Sequence, residues 1–420
     1  MVNEGYKKTE VGIIPDDWEV TELSDAFQNL EAGVSVNSDE RENADFFVLK
    51  TSAISAGLVN VVEAKPVVKR DYTRLRCPIK KGSIIISRMN TPQLVGECGY
   101  VSKDVQGYFL PDRLWQVTNT KDEKYDFRWL NYLLNQYQFK NAIHAVATGT
   151  SNSMKNISKE RLLEITIPRP SIEEQKIIVE AIGDVETLIY DLRKLIDKRS
   201  NIYVGALQSL LSGKIKVSDS PWEKYRICEI GDFYGGLIGK TKNDFGRGNA
   251  KYITFLNVLN NTVIDTSILE PVQISDEESQ NQVLPGDLFF NTSSETPEEV
   301  GMCSVLLDSV KNTYLNSFCF GFRLKTKKVN SLFLSYYFNS QEGRKIMRVL
   351  AQGATRFNLS KDYFSKTEIE LPTYRDQTEI AKILSDMEND IRALKKKLSK
   401  YEAVKRGMME ELLTGKVRLM

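Results

Sequence analysis

At 420 residues, with 41% hydrophobic and 27% charged residues and only 12 prolines, the chain is long enough for two folded domains and its composition excludes a disordered or collagen-like polymer. No run approaches the roughly 18 apolar residues of a membrane span, and Met1 to Lys8 is polar where a secretory leader needs an apolar stretch, so a cytoplasmic protein is expected. The net charge of +1 decides nothing about partners, because local basic clusters hide within a neutral total.

The five cysteines (Cys77, Cys98, Cys228, Cys303, Cys319) form no C-x-x-C pair, and their odd number suits buried thiols in a reducing compartment. The lone histidine, His144, rules out histidine-rich metal sites and falls in a helical stretch, Asp126 to Val146, where a helix-face role is expected. Neither a metal nor a cofactor is expected.

In chain order, short β-branched or aromatic runs at Phe46 to Leu49, Ser83 to Ser87 and Glu164 to Ile167 predict strands. A helix carrying Leu130 and Leu134 precedes an Ala-x-Gly loop. Beyond Pro168 the period changes: Ile178, Ile182, Val185, Ile189, Leu192, Ile196, Tyr203, Ala206 and Leu210 alternate by four and three, interrupted only at Arg199. That is a coiled-coil seam on a helix of about 40 residues, on the order of 60 Å long, closed by Gly213.

The chain then repeats itself. Leu210-Leu-Ser-Gly-Lys-Ile215 returns as Leu412-Leu-Thr-Gly-Lys-Val417, and Ala147-Thr-Gly-Thr-Ser151 as Ala351-Gln-Gly-Ala-Thr355. Ile165-Thr-Ile-Pro168 faces Ile369-Glu-Leu-Pro372, Lys81-Gly-Ser-Ile-Ile-Ile86 faces Pro285-Gly-Asp-Leu-Phe-Phe290, and Val95-Gly-Glu-Cys98 faces Val300-Gly-Met-Cys303. The openings Trp18-Glu-Val-Thr-Glu-Leu23 and Tyr225-Arg-Ile-Cys-Glu-Ile230 align as well. Strands are therefore predicted again at Tyr252 to Phe255, Asp287 to Asn291 and Glu368 to Leu371, with Leu334 and Phe338 on the matching helix. The second seam runs Ile380, Leu384, Met387, Ile391, Leu394, Leu398, Tyr401, Met408 and Leu412, interrupted only at Lys405, and Gly415 follows it. The reading is a mixed α/β (α+β) fold of two pseudo-symmetric domains, 1–170 and 214–374, separated by two long antiparallel coiled-coil helices, 171–213 and 375–420. An oligomerisation rod is the alternative use of such heptads.

The chain resembles the specificity subunits of type I restriction-modification enzymes over essentially its whole length. The resemblance rests on Gly12-Ile-Ile-Pro-Asp-Asp-Trp18, Gly82-Ser-Ile-Ile-Ile-Ser-Arg88, Ala147-Thr-Gly-Thr-Ser151, Pro168-Arg-Pro-Ser-Ile-Glu-Glu-Gln-Lys-Ile177 and Leu211-Ser-Gly-Lys214. The second copy departs at Pro372-Thr-Tyr-Arg-Asp-Gln-Thr-Glu-Ile380, with Asp376 where the family usually has Glu. The resemblance implies two target-recognition domains reading the halves of a bipartite asymmetric site in double-stranded DNA, with the helices as a ruler for the spacer. It also implies docking of two methyltransferase subunits, which use S-adenosylmethionine, and of motor-nuclease subunits, which use ATP; none of that chemistry belongs to this chain.

Motifs for catalysis are missing or incomplete. Gly235-Gly-Leu-Ile-Gly-Lys-Thr241 looks like a phosphate-binding loop, but Tyr234 stands where its first glycine belongs, and no Asn/Asp-Pro-Pro-aromatic methyltransferase motif occurs. Asp16, Glu63 and Lys65 could form a nuclease set, but the second copy has no equivalent.

DNA contact requires cations for phosphates and polar loops for base edges. Lys65, Lys69, Arg70, Arg74, Arg76, Lys80, Lys81 and Arg88 form a basic run with Tyr72 interleaved and Asp71 as its one acid, which suits a phosphate track. The expected base readers are Arg88, Asn90, Thr91 and Gln93 in one loop, and Thr148, Thr150, Ser151, Asn152 and Lys155 in another. In the second copy they are Asn291, Thr292 and Ser293, with Arg356 and Asn358. There, Glu270 to Glu299 has eight acidic residues and no Lys or Arg, so phosphate contacts fall to Lys240, Lys242, Arg247 and Lys251, or to Arg344, Lys345, Arg348, Arg356 and Lys361. Two other functions stay open at this point: a coiled-coil scaffold or adaptor without DNA, and a self-contained nuclease.

Overall fold

The computed structural model describes residues 4–41, 43–118, 124–149, 154–275 and 277–419. It separates into two compact units, Met1–Leu192 with Lys397–Met420, and Arg193–Lys396.

The first unit is built on a sheet whose strands run in the order Leu30–Ala32, Leu114–Val117, Ile84–Ser87, Cys98–Tyr100, Gly57–Val59 and Ile54–Ser55. Ile84, Ile85 and Ile86 are all fully buried, as befits a central strand covered on both faces. Helices Phe127–Leu134 and Tyr137–Ala145 follow the sheet, and a two-stranded ladder pairs Glu19–Glu22 with Thr166–Arg169 beside the start of the first long helix. The expected helix over Asp126 to Val146 is thus two helices. Gln136 adopts an extended conformation between them and begins the second, while Asn135 turns its amide onto the Asn131 carbonyl at 2.8 Å.

The second unit keeps four strands of that order: Gly231–Gly235, Cys319–Leu324, Leu288–Asn291 and Cys303–Val305. At three matched core positions it is aromatic where the first unit is aliphatic. Ile86, Leu134 and Leu162 are replaced by Phe290, Phe338 and Phe364, all fully buried and edge-to-face, with centroids 5.2 to 5.4 Å apart. The expected strand Tyr252 to Phe255 stops at Ile253, because Thr254 caps a short helix, Phe255–Asn260, by accepting from the Asn257 N–H.

The long helices are Ile172–Leu211 and Tyr374–Leu412. Each opens on a hydroxyl: Ser171 Oγ accepts from the Glu174 N–H and Thr373 Oγ1 from the Asp376 N–H, both at 3.2 Å. Each is followed by a left-handed glycine, Gly213 at φ 70° and Gly415 at φ 69°, where a side chain would be strained. In the first unit Glu186 pairs with Lys405 and Glu174 with Arg418; in the second Arg199 pairs with Asp390 and Tyr203 lies by Glu388. Within each unit the numbers rise on one partner as they fall on the other, so the helices pair antiparallel. The two polar breaks in the seam, Arg199 and Lys405, are thereby each given a carboxylate. No helix among the described residues is long and apolar enough to cross a membrane.

The structure also corrects the internal alignment. Trp18 packs on Gly415 and Trp222 on Gly213, and Leu23 and Ile227 each open the short helix that follows, so Trp18 corresponds to Trp222 rather than to Tyr225. Thr21 pairs with Ile167 as Tyr225 pairs with Ile369, so Pro170 rather than Pro168 corresponds to Pro372. Between these points the second copy is two residues shorter, and the difference in sequence falls between Gly149 and Lys155, or Gly353 and Phe357. Of the five cysteines expected to be buried, Cys228 is exposed at the surface of its short helix.

Candidate nucleic-acid interface

Each unit carries two smaller sheets of three strands, one of which joins segments expected to be recognition loops. In that sheet of the first unit, Lys155–Ile157 lies between Met89–Asn90 and Ala147–Thr148; in that of the second, Phe357–Leu359 lies between Ser293–Ser294 and Ala351–Gln352. Segments distant in sequence but read as recognition loops are thus joined side by side, in the same order and register in both units. The central strand is anchored identically, with the Ile157 N–H donating to the Arg88 carbonyl and the Leu359 N–H to the Thr292 carbonyl, each at 2.9 Å.

Within the first of these sheets Thr91, Gln93 and Thr148 are exposed, whereas Asn90 is buried and donates to Ser87 Oγ at 3.1 Å. Lys155 donates to the Gly149 carbonyl at 2.8 Å. The Arg88 guanidinium stacks over the Trp115 ring, 5.2 Å from its centroid, with Nε enclosed and without a hydrogen-bond partner among the described residues. Thr150, Ser151 and Asn152 lie outside the described residues.

In the second unit Arg356 and Asn358 are exposed and Thr292 is half-buried. Asn291 and Ser293 are buried; the Asn291 amide accepts from the Met302 N–H and donates to the Glu299 carbonyl, which holds the loop that follows in place. Lys361 is exposed, its ammonium 5.3 Å from the centre of the Phe320 ring. The equivalent of the stacked pair in the first unit is therefore built from a different basic residue.

The phosphate candidates divide the same way. Arg70 and Arg76 are exposed, and Lys69 is exposed as well. Arg74 is tied to Asp71 at 3.2 Å and to the Ser35 carbonyl at 3.0 Å. Asp71 is itself buried, and the Asn37 N–H together with the Arg74 guanidinium hold its carboxyl below the usual range. Lys80 and Lys81 pair with Glu31 and Asp104.

Lys240, the lysine of the phosphate-loop-like segment, is nearly enclosed, its ammonium 2.5 Å from Glu278 and 2.6 Å from the Gln273 carbonyl. Lys242 and Arg247 remain exposed. Arg344 is turned onto the carbonyls of Glu298, Val300 and Gly301, and burial lowers its pKa to about 10. Glu63, from the nuclease-like set, accepts from Ser52, and no cluster of three or more His, Cys, Asp or Glu among the described residues is arranged to hold a metal ion.

Sequence reasoning passed over the residues that join these domains to the helices. Gln175, fully buried, accepts from the Asp126 N–H and donates to the carbonyls of Lys124 and Pro170; Gln377 does the same with Asn330, Lys328 and Pro372. Tyr132 donates to Glu186 at 2.7 Å as Tyr336 donates to Glu388 at 2.9 Å. The matching of Gln175 with Gln377, at the same offset as Leu210 and Leu412, was the available signal.

The family described as type I restriction modification DNA specificity domain matches the chain twice, over residues 15–198 and 219–403. The chain therefore belongs to that family. It is 23% identical to a putative type I restriction enzyme MjaX specificity subunit of Methanocaldococcus jannaschii, over 99% of this chain and 97% of the relative. It is 22% identical to the MjaVIII specificity subunit of the same organism, over 99% and 96%. Its fold is similar to that of the type I restriction-modification S subunit from M. genitalium (TM-score 0.55, 15% identity, 98% and 97% covered) and of the HsdS subunit from Thermoanaerobacter tengcongensis (TM-score 0.51, 17% identity, 96% and 98% covered).

Proposed function

We propose that this chain is the non-catalytic, sequence-reading subunit of a cytoplasmic type I restriction-modification complex. Residues 1–170 and 214–374 each read one half of a bipartite asymmetric site in double-stranded DNA. The helical segments 171–213 and 375–420 set the length of the unread spacer and dock two methyltransferase subunits, to which motor-nuclease subunits are added in the full complex.

The observation that carries this reading is the recurrence of the three-stranded sheet. It gathers the polar loops of each unit on one small platform, in one register, while the side chains on it differ between units. A constant frame with variable polar residues is what two readers of different sequences need. Among the phosphate candidates Arg70 and Lys242 are exposed, whereas Arg74, Arg76, Lys240 and Arg247 also donate to carbonyls or carboxylates of their own loops.

The test is co-expression with a methyltransferase subunit followed by sequencing of methylated positions. Exchange of residues 20–160 for those of a relative should change one half of the methylated site and leave the other half and the spacer intact. Methylation indifferent to that exchange overturns the reading.

A further inference from the structure

We propose that Asn156 and Asn358 make the same base contact in the two half-sites, each reading an adenine, and that their neighbours across the sheet make the half-sites differ. The proposal rests on the reading of the chain as a two-part DNA reader.

Strand register sets one row of side chains across each platform. In the first unit Asn156 stands opposite Met89 on one side and Thr148 on the other; in the second Asn358 stands opposite Ser293 and Gln352. Residues paired in register share a face of the sheet. The next residue along each central strand, Ile157 or Leu359, is buried in the core, so alternation directs both asparagines to the opposite face. The middle of the row is thus the same in both units and its flanks are not.

Folding does not explain the asparagine. Asn is depleted in strands, and here its amide contributes little to the sheet. Asn156 Oδ1 is enclosed without a hydrogen-bond partner among the described residues, and Asn358 makes a long 3.4 Å contact from its amide to the Arg356 carbonyl. Gln175 and Gln377, by contrast, recur with every hydrogen bond repeated, which is how a structural amide behaves.

The chemistry of the side chain identifies the ligand: a carboxamide both donates and accepts, and a phosphate oxygen offers it no donor. The adenine edge offers the N6 amino group to Oδ1 and N7 to the amide N–H, the bidentate match for a carboxamide. On the flanks, Met89 and Thr148 present apolar surface and a methyl-bearing hydroxyl, whereas in the second unit Ser293 is buried and Gln352 alone presents a hydrogen-bonding group, so different neighbouring bases are favoured.

The test uses the full chain assembled with its methyltransferase subunit and selection of bound sites from random DNA. Asn156→Ala should lose the preference for one adenine in the half-site read by residues 1–170, with cognate binding weaker by about ten-fold, and leave the other half-site untouched. Asn358→Ala should do the converse. The isosteric Asn156→Asp and Asn358→Asp, which preserve shape if the alanine variants fail to fold, should move the preferred base from adenine to cytosine, whose N4 donates to a carboxylate. An equal loss on all sequences, or unchanged selection, overturns the inference while the two-part reading stands; absence of any selected site with the unaltered chain removes the reading itself.

Discussion

Lys405, one of the two polar breaks in the apolar seams, places its ammonium 2.8 Å from Glu186 on the other long helix, and both side chains are about a third exposed. Glu186 also accepts the Tyr132 hydroxyl at 2.7 Å, so a single carboxylate joins both helices and the α/β body of the first unit. Burial and the neighbouring Glu186 carboxylate push the Tyr132 phenol well above its ordinary pKa, which keeps it a donor throughout the physiological range.

Removing the shared acceptor should cost more than removing its cation. Glu186→Ala leaves the Tyr132 hydroxyl unpaired and is expected to destabilise the chain by roughly 1–2 kcal/mol. Lys405→Leu restores an apolar seam and is expected to change stability by less than about 1 kcal/mol, since partly exposed ion pairs contribute little. Urea midpoints of the two variants check the order.

Gln175 and Gln377 tie the start of each long helix to the start of the helix that packs on the sheet. Gln175→Ala strips partners from the Asp126 N–H and from two carbonyls in a buried setting. The expected loss is on the order of 2–3 kcal/mol for either glutamine, because an abandoned buried polar group costs more than a hydrogen bond contributes. A Leu variant of the same size should not rescue it, as thermal melts would reveal.

Acid should loosen the second unit through Glu278. The Lys240 ammonium, then the Gln280 amide and the Ser275 N–H, hold its pKa at about 2, against an ordinary value of 4.5. A depressed carboxylate contributes stability that is complete above about pH 4.5 and is lost as the pH falls towards 2. Lys240→Met should therefore melt earlier than the unaltered chain at neutral pH, with the gap closing across that window; a gap independent of pH would contradict the assignment.

The exposed Arg70 of the basic run should be visible in salt dependence. Arg70→Ala is expected to weaken binding to every DNA sequence alike and to reduce the slope of log affinity against log salt by about 0.9 for the phosphate contact removed. Arg74→Ala should instead lower stability, because its guanidinium braces Asp71 and Ser35. Titration at several salt concentrations, with melting curves alongside, distinguishes the two outcomes.

The amino-acid sequence by itself determined the duplication, the two seams and their glycine stops, because heptad spacing and turn chemistry act over a few residues and survive in each copy. It also located the polar loops, since segments such as Ser87 to Gln93 differ in composition from the strands beside them. Tertiary structure alone decided which of those side chains are available. Asn291 and Lys240 have the chemistry of DNA contacts, yet packing turns the first onto Met302 and Glu299 and the second onto Glu278. Whether a polar group faces solvent or holds its own loop depends on partners outside its own segment, 8 residues away for Asn291 and 38 for Lys240, which local pattern does not encode. The same holds for Trp18: similarity of neighbouring letters aligned it with Tyr225, while its packing against a glycine at the far end of the chain shows Trp222 to be its counterpart.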